Sequence, residues 1–164
     1  MYKIDFNHPC NVYFIGIGGI SMSGLAEILH DAGFQVSGSD WHASPITQML
    51  EEKGIQVKYG ERREHISDNI DCAVLTSAVH DDNLEFQTIK EKNIPYMSRA
   101  ELLGQIMKNY DLPVAVSGTH GKTTATSMMT HILMAAEWDP TVMIGGSLPM
   151  LHAGHRVGHG DTIV

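Results

Sequence analysis

The sequence predicts an α/β protein, a parallel sheet with flanking helices, and three observations carry that prediction. Short apolar, β-rich runs alternate with helical stretches along the chain at the spacing of right-handed β-α-β units. A glycine loop, Gly16-Ile-Gly-Gly-Ile-Ser21, stands between the first such run and the first helical stretch. A second loop, Val116-Ser-Gly-Thr-His-Gly-Lys-Thr-Thr124, stands at an equivalent junction later in the chain. The expected architecture is a Rossmann-like sheet over residues 1–111, followed by the truncated start of a P-loop domain over residues 112–164.

Each element has its own signal. Asn11–Ile17 is a short apolar run ending in glycine, as a buried parallel strand requires. Met22–Ala32 has helical spacing and Gly33 stops it. Gln35–Asp40 reads as a second strand ending in a carboxylate. Ser44-Pro45 is a cap followed by a proline at the first helical position, opening a helix over 46–53 that Gly54 closes. Ile55–Val57 is a short third strand and Cys72–Thr76 a fourth. Asn83–Lys92 is helical, and Ile94–Met97 is an edge strand. Ser98-Arg-Ala-Glu101 matches a capping box before Leu102, Leu103 and Ile106. Pro113–Val116 reads as the strand entering the second loop and Thr123–Ala136 as the helix leaving it. Gly160–Val164 reads as a strand just starting, so the carboxyl end looks cut. The domain boundary falls at Lys108–Pro113.

Composition narrows the class. The chain has 164 residues, 43% hydrophobic and 18% charged, with a net charge of −8. That balance buries a core, and without a basic run it disfavours nucleic acid or an anionic membrane as partner. Cys10 and Cys72 are isolated and read as reduced or buried thiols. The amino terminus lacks a signal-peptide core, and no apolar run approaches a membrane span, so the expected setting is cytoplasmic.

The two loops carry the chemistry. In the second, amides of a tight turn and a helix N-terminus point at phosphate oxygens. Lys122 reaches the β- and γ-phosphates of ATP, and the Thr123 hydroxyl sits on Mg²⁺. Gly118, Thr119, His120, Gly121 and Thr124 complete that loop. The common pattern wants a glycine where this chain has Val116, and its extra glycine comes at Gly118. In the first loop, Gly16 makes the tight turn and Gly18 lets backbone approach a pyrophosphate, with Ile17, Gly19 and Ile20 between them and Ser21. Ser21 replaces the usual third glycine. Asp40 lies about where an acidic residue accepts a ribose hydroxyl. Thr76, Ser77, Ala78 and Val79 end another central strand, where open α/β sheets gather ligands. Two phosphate grips point to an enzyme that uses ATP on a nucleotide-linked substrate. Two alternatives stay open: an NAD(P)-dependent oxidoreductase, and a nucleotide-sensing module without chemistry.

Gly16-Ile-Gly-Gly-Ile-Ser-Met-Ser-Gly-Leu-Ala26, Ser37-Gly-Ser-Asp40, Thr76-Ser-Ala-Val79, Ser98-Arg-Ala-Glu-Leu102 and Gly118-Thr-His-Gly-Lys-Thr-Thr124, in that order, resemble the Mur ligase family. His120 favours the member that acts on L-alanine, and the departure at Val116 matches the family's own loop. The resemblance implies ATP- and Mg²⁺-dependent ligation of L-alanine to UDP-N-acetylmuramate through an acyl phosphate. It implies that Gly16–Ser21, Ser39, Asp40, Thr76–Val79 and Arg99 hold the UDP substrate, with Lys122 and Thr123 catalytic and Thr123 on the metal. It also implies an acidic Mg²⁺-binding segment and a third domain beyond Val164. The 164 residues are therefore expected not to ligate alone, with 112–164 poorly anchored or packed against a neighbouring molecule.

His152, His155 and His159 lie among glycines without structural-zinc spacing and read as a solvated loop. His42 and His80 fall near the predicted pocket. Met22, Met128, Met129 and Met134 read as core filler.

Overall fold

The structure is a computed structural model that describes residues 2–151 and 153–164. Its contacts divide the chain into two compact units, Met1–Gln105 and Ile106–Val164.

In the first unit, β1 (Asn11–Ile15) leads through α1 (Ile20–Asp31) to β2 (Gln35–Asp40), then α2 (Pro45–Glu52), β3 (Gln56–Tyr59) and a 3-10 turn at Arg63–His65. β4 (Cys72–Leu75), α3 (Leu84–Glu91), β5 (Tyr96–Ser98) and α4 (Arg99–Met107) follow. The five strands form one parallel sheet in the order β3-β2-β1-β4-β5. β1 is central because its residues are apolar on both faces; Val12, Tyr13 and Phe14 are fully buried. On one face Tyr13, Ile15, Ala73 and Leu75 pack with Phe86 and Ile89 of α3. The chain reverses its winding direction between β1 and β4, so a crevice opens at the carboxyl ends of those strands.

The helix signals hold at the atomic level. Ser44 Oγ accepts Thr47 N–H while Thr47 Oγ1 accepts Ser44 N–H, a reciprocal cap on α2. Asn83 caps α3 by accepting Phe86 N–H at 2.8 Å. Ser98 and Glu101 form the expected box on α4, and the Ser98 amide holds the Glu101 carboxyl below its ordinary range. Gly33 and Gly54 end α1 and α2 with φ of +91° and +87°.

The second unit contains β6 (Leu112–Pro113), α5 (Lys122–Ala135), β7 (Val142–Leu148), a 3-10 turn at Pro149–Leu151, β8 (Ala153–Arg156) and β9 (Thr162–Ile163). β6 pairs in parallel with β9, confirming a strand at the carboxyl end. The strand expected over 113–116 is shorter. Its ladder ends once Val114 N–H reaches Ile163 C=O, because β9 is itself only two residues long. β7 and β8 form an antiparallel hairpin that the sequence reading missed, with Val142, Ile144 and Leu148 as its core.

The histidine-glycine segment is not a solvated loop throughout. His155 is 7% exposed within β8, and only His159 is exposed, while His152 lies outside the described residues. The glycines there serve close approach: a Cβ on Gly160 would fall 2.0 Å from Trp138 C=O, and one on Gly158 2.2 Å from Asp139 C=O. Arg156 holds the same turn through Asp139 and Pro140. Met22 is buried as expected, but Met128 is 61% exposed on the outer face of α5. No group of three or more His, Cys, Asp or Glu among the described residues is placed to hold a metal ion. No helix among them is long and apolar enough to cross a membrane.

Two outcomes follow from this packing. A Cβ on Gly38 would meet Phe14 C=O at 2.5 Å and the Ile17 side chain at 2.9 Å. Gly38→Ala is therefore expected to destabilise the first unit by about 2 kcal/mol in urea denaturation followed by circular dichroism. Burial pushes the Cys72 thiol up to about 12, so a thiol reagent at pH 8 is expected to label Cys72 only upon unfolding.

Candidate nucleotide site

The first glycine loop is built by the end of β2. Gly16 takes φ +81°, which only glycine adopts without strain, and the chain leaves β1 there. Ser39 C=O then accepts both Gly16 N–H and Ile17 N–H, each at 2.9 Å. Gly18 N–H donates to Asp40 Oδ2 at 2.8 Å, and Asp40 Oδ1 accepts Trp41 N–H at 2.8 Å. Gly18 leaves room for these neighbours: a Cβ would lie 2.7 Å from Asp40 Oδ2 and 2.9 Å from Thr47 Cγ2, so any larger residue displaces those side chains. Asp40 Oδ2 thus braces the loop while Oδ1 holds the amide of the next residue, a role its sequence position did not disclose.

The loop is open to solvent where a ligand would need it. Gly19 and Ile20 are exposed, Gly18 and Ser21 half-buried, and α1 begins at Ile20. Ile17 is fully buried, so its side chain belongs to the core and only its backbone lies in the loop. Ser21, in the place of a third glycine, has a partner. Arg99 Nη1 donates to its Oγ at 3.0 Å, bringing the start of α4 beside the start of α1.

Two hollows lie along the same sheet edge. One, of about 360 Å³, is lined by Gly16, Ser39, Asp40, Thr76, Ala78 and Val79, joined by Trp41, Glu61, His80, Asp82 and Glu85. The other, of about 430 Å³, lies at the ends of β4 and β5 and includes Thr76, Ser77 and Arg99. Their charges differ. The first hollow carries four carboxylate side chains and no Lys or Arg in its lining, whereas the second carries Arg99 together with one carboxylate, Glu101. His80 lines the first hollow; His42 is exposed and does not line it. Sequence reasoning missed Trp41, which is 65% exposed at this edge, and the buried Glu85 below it. An exposed Trp directly after the strand-end carboxylate was the available signal for the former. Nothing local marked the latter.

In the second unit, the loop residues Gly118–Thr124 are all exposed. Gly121 takes φ +77° immediately before α5, and the first backbone bond of that helix is Ala125 N–H to Gly121 C=O. The amides ahead of Ala125 therefore stand outside the helical ladder, as an anion-binding terminus requires. Lys122 Nζ folds back over the turn to Gly118 C=O at 2.5 Å. Free amides, an ammonium and the Thr123 hydroxyl form a donor set that suits a polyphosphate and its Mg²⁺.

Comparison with known proteins gives a consistent picture. The model described as Mur ligase family, catalytic domain, matches residues 11–111. A UDP-N-acetylmuramate–L-alanine ligase of Agathobacter rectalis is 55% identical over 164 residues, covering 100% of this chain and 36% of that protein. The crystal structure of a UDP-N-acetylmuramate-alanine ligase from Thermotoga maritima matches with a TM-score of 0.83 at 31% identity, covering 93% of this chain and 36% of that one. A UDP-N-acetylmuramate:L-alanyl-gamma-D-glutamyl-meso-diaminopimelate ligase from Neisseria meningitides matches with a TM-score of 0.85 at 28% identity, covering 95% and 52%. The chain spans little more than a third of the length of the curated relatives it matches.

The Asp40 bracing can be checked directly. Asp40→Ala is expected to speed amide hydrogen exchange at Gly18 by at least roughly tenfold, leaving exchange in β1 unchanged. Equal protection of Gly18 in the variant would contradict the bracing role.

Proposed function

Because this chain belongs to the Mur ligase family, we propose that its residues serve ATP-dependent ligation of L-alanine to UDP-N-acetylmuramate in peptidoglycan precursor synthesis. Residues 1–111 form the UDP-substrate domain, and residues 112–164 begin the central ATP-binding domain. The observation that carries this reading is the Arg99–Ser21 bond beside the Gly16 turn. It sets a permanent cation, a hydroxyl and the exposed start of α1 at one strand edge, which together suit a pyrophosphate. Ser77 and Thr76 lie on the same side. The acidic hollow next to them suits the neutral, donor-rich nucleoside, because its carboxylates repel phosphate and accept ribose hydroxyls. Trp41 offers a stacking face there.

Gly118–Thr124 hold the polyphosphate of ATP, with Lys122 over the transferring group and Thr123 on Mg²⁺. Bound ATP supplies the phosphoryl group that activates the muramoyl carboxylate, and the alanine amine is the nucleophile. No protein nucleophile is required, since orientation and electrostatic stabilisation are enough. Lys122 exchanges its bond to Gly118 C=O for phosphate oxygens. The 164 residues alone do not ligate, in keeping with the share of the relatives' length that they span. The setting is cytoplasmic, where UDP-linked precursors and ATP are both at hand.

The oxidoreductase reading draws on Asp40 as a ribose acceptor, but that class has no use for the exposed Gly118–Thr124 loop. Calorimetric titration with UDP and with NADH separates the two. UDP is expected to bind the tighter, and Arg99→Ala to weaken UDP by roughly tenfold or more, the worth of a charge-assisted hydrogen bond. Tighter binding of NADH, or UDP affinity unchanged in Arg99→Ala, would overturn the proposal.

A further inference from the structure

A buried polar chain lies under the glycine turn, and the ligation chemistry makes no use of it. Glu85, in the first turn of α3, is 1% exposed. Its Oε2 accepts the Ser39 hydroxyl at 2.5 Å. Its Oε1 accepts the Tyr13 hydroxyl at 3.2 Å and meets His65 Nδ1 at 2.5 Å. Burial, and then the charge of Glu85, push the Tyr13 phenol well above its ordinary range, so Tyr13 remains a donor. Lys58 Nζ pins the His65 carbonyl at 2.8 Å and stands 5.7 Å from the Tyr13 ring centre. Donors from β1, β2 and the turn after β3 therefore converge on one carboxylate.

A carboxylate in this position is costly, and an apolar residue would serve packing alone at least as well. What the carboxylate adds is direction. It fixes the proton of the Ser39 hydroxyl, which leaves the Ser39 oxygen with acceptor capacity only. The same residue supplies the carbonyl that holds Gly16 and Ile17 N–H. Ser39 and Glu85 both line the acidic hollow. The hydroxyl that Glu85 fixes and the carbonyl that holds the turn thus belong to one residue.

We propose that Glu85 is a positioning residue for nucleotide binding: acting through Ser39, it holds the Gly16–Ile17 turn and leaves Ser39 as an acceptor for a hydrogen-bond donor of the nucleoside. This inference rests on the UDP reading above. The test is calorimetric titration of UDP into the 164-residue chain, Glu85→Gln, Ser39→Ala and the double variant, with amide spectra of Gly16 and Ile17 recorded by NMR. Glu85→Gln is expected to lose roughly tenfold in UDP affinity and to shift the Gly16 and Ile17 amide resonances. Ser39→Ala is expected to lose a similar factor, and the double variant to bind no more weakly than Ser39→Ala, because the effect passes through that hydroxyl. Wild-type UDP affinity in Glu85→Gln, or losses that multiply in the double variant, would overturn it. Should Glu85→Gln fail to fold, Ser39→Ala decides: a roughly tenfold loss supports the inference and wild-type affinity overturns it. Failure of the unmodified chain to bind UDP overturns the UDP reading and this inference together. Binding by the unmodified chain with Glu85→Gln unaffected overturns this inference alone.

Discussion

A single carbonyl, that of Ser39, governs the functional edge of the first unit by accepting the amides of both Gly16 and Ile17. The bond pair forces the chain to turn sharply as it leaves β1 and aims the start of α1 outward. It works only because β2 runs parallel to β1 in a fixed register, with Ile15 beside Ser39. That register needs Gly38, which leaves room for Phe14 C=O and the Ile17 side chain. Asp40 then ties down Gly18 from the next position along. Three consecutive residues of one strand, Gly38, Ser39 and Asp40, thus set the loop by absence of a side chain, by backbone and by carboxylate.

The cost of this arrangement is concentrated in α3. Glu85 is buried beneath a hollow that already carries Asp40, Glu61 and Asp82. Several carboxylates around one cleft disfavour any anion within it, so in the proposed reading the nucleotide's charge lies toward Arg99. In that reading electrostatics orient the ligand before any contact specific to its base is made. The second unit uses the same physics in simpler form, with helix amides and one lysine on an exposed turn.

Much of the first unit was legible in the sequence because its signals are local. Ser44, Asn83 and Ser98 cap the helices that follow them, and β1, β2 and β4 stand at or within a residue or two of their apolar runs. The parallel sheet followed from the alternation of elements, while its order, with β1 in the centre, came only from the structure. Less local features were not visible. The β7–β8 hairpin escaped notice because Gly145 and Gly146 interrupt its pattern, and its partner strand is a glycine-histidine run with no β-branched residue. The glycines near His159 suggested a loop, when they are there to let backbone pass close to Trp138 and Asp139. At the site, the loop residues were readable, but Glu85 was not. Its role arises from Ser39, Tyr13 and His65, which are separated from it by 46, 72 and 20 positions. Arg99 lies 78 positions from Ser21, and spacing alone could not join them.

The central claim is that a uridine diphosphate rests on the Gly16–Ser21 turn with its charge toward Arg99. A crystal structure of the chain grown with UDP tests this most directly. The account predicts diphosphate density within hydrogen-bond reach of the loop amides and Arg99, and the nucleoside beside Trp41 and Ser39. Diphosphate density lodged instead among Glu61, Asp82 and Glu85, or away from this strand edge altogether, would contradict it.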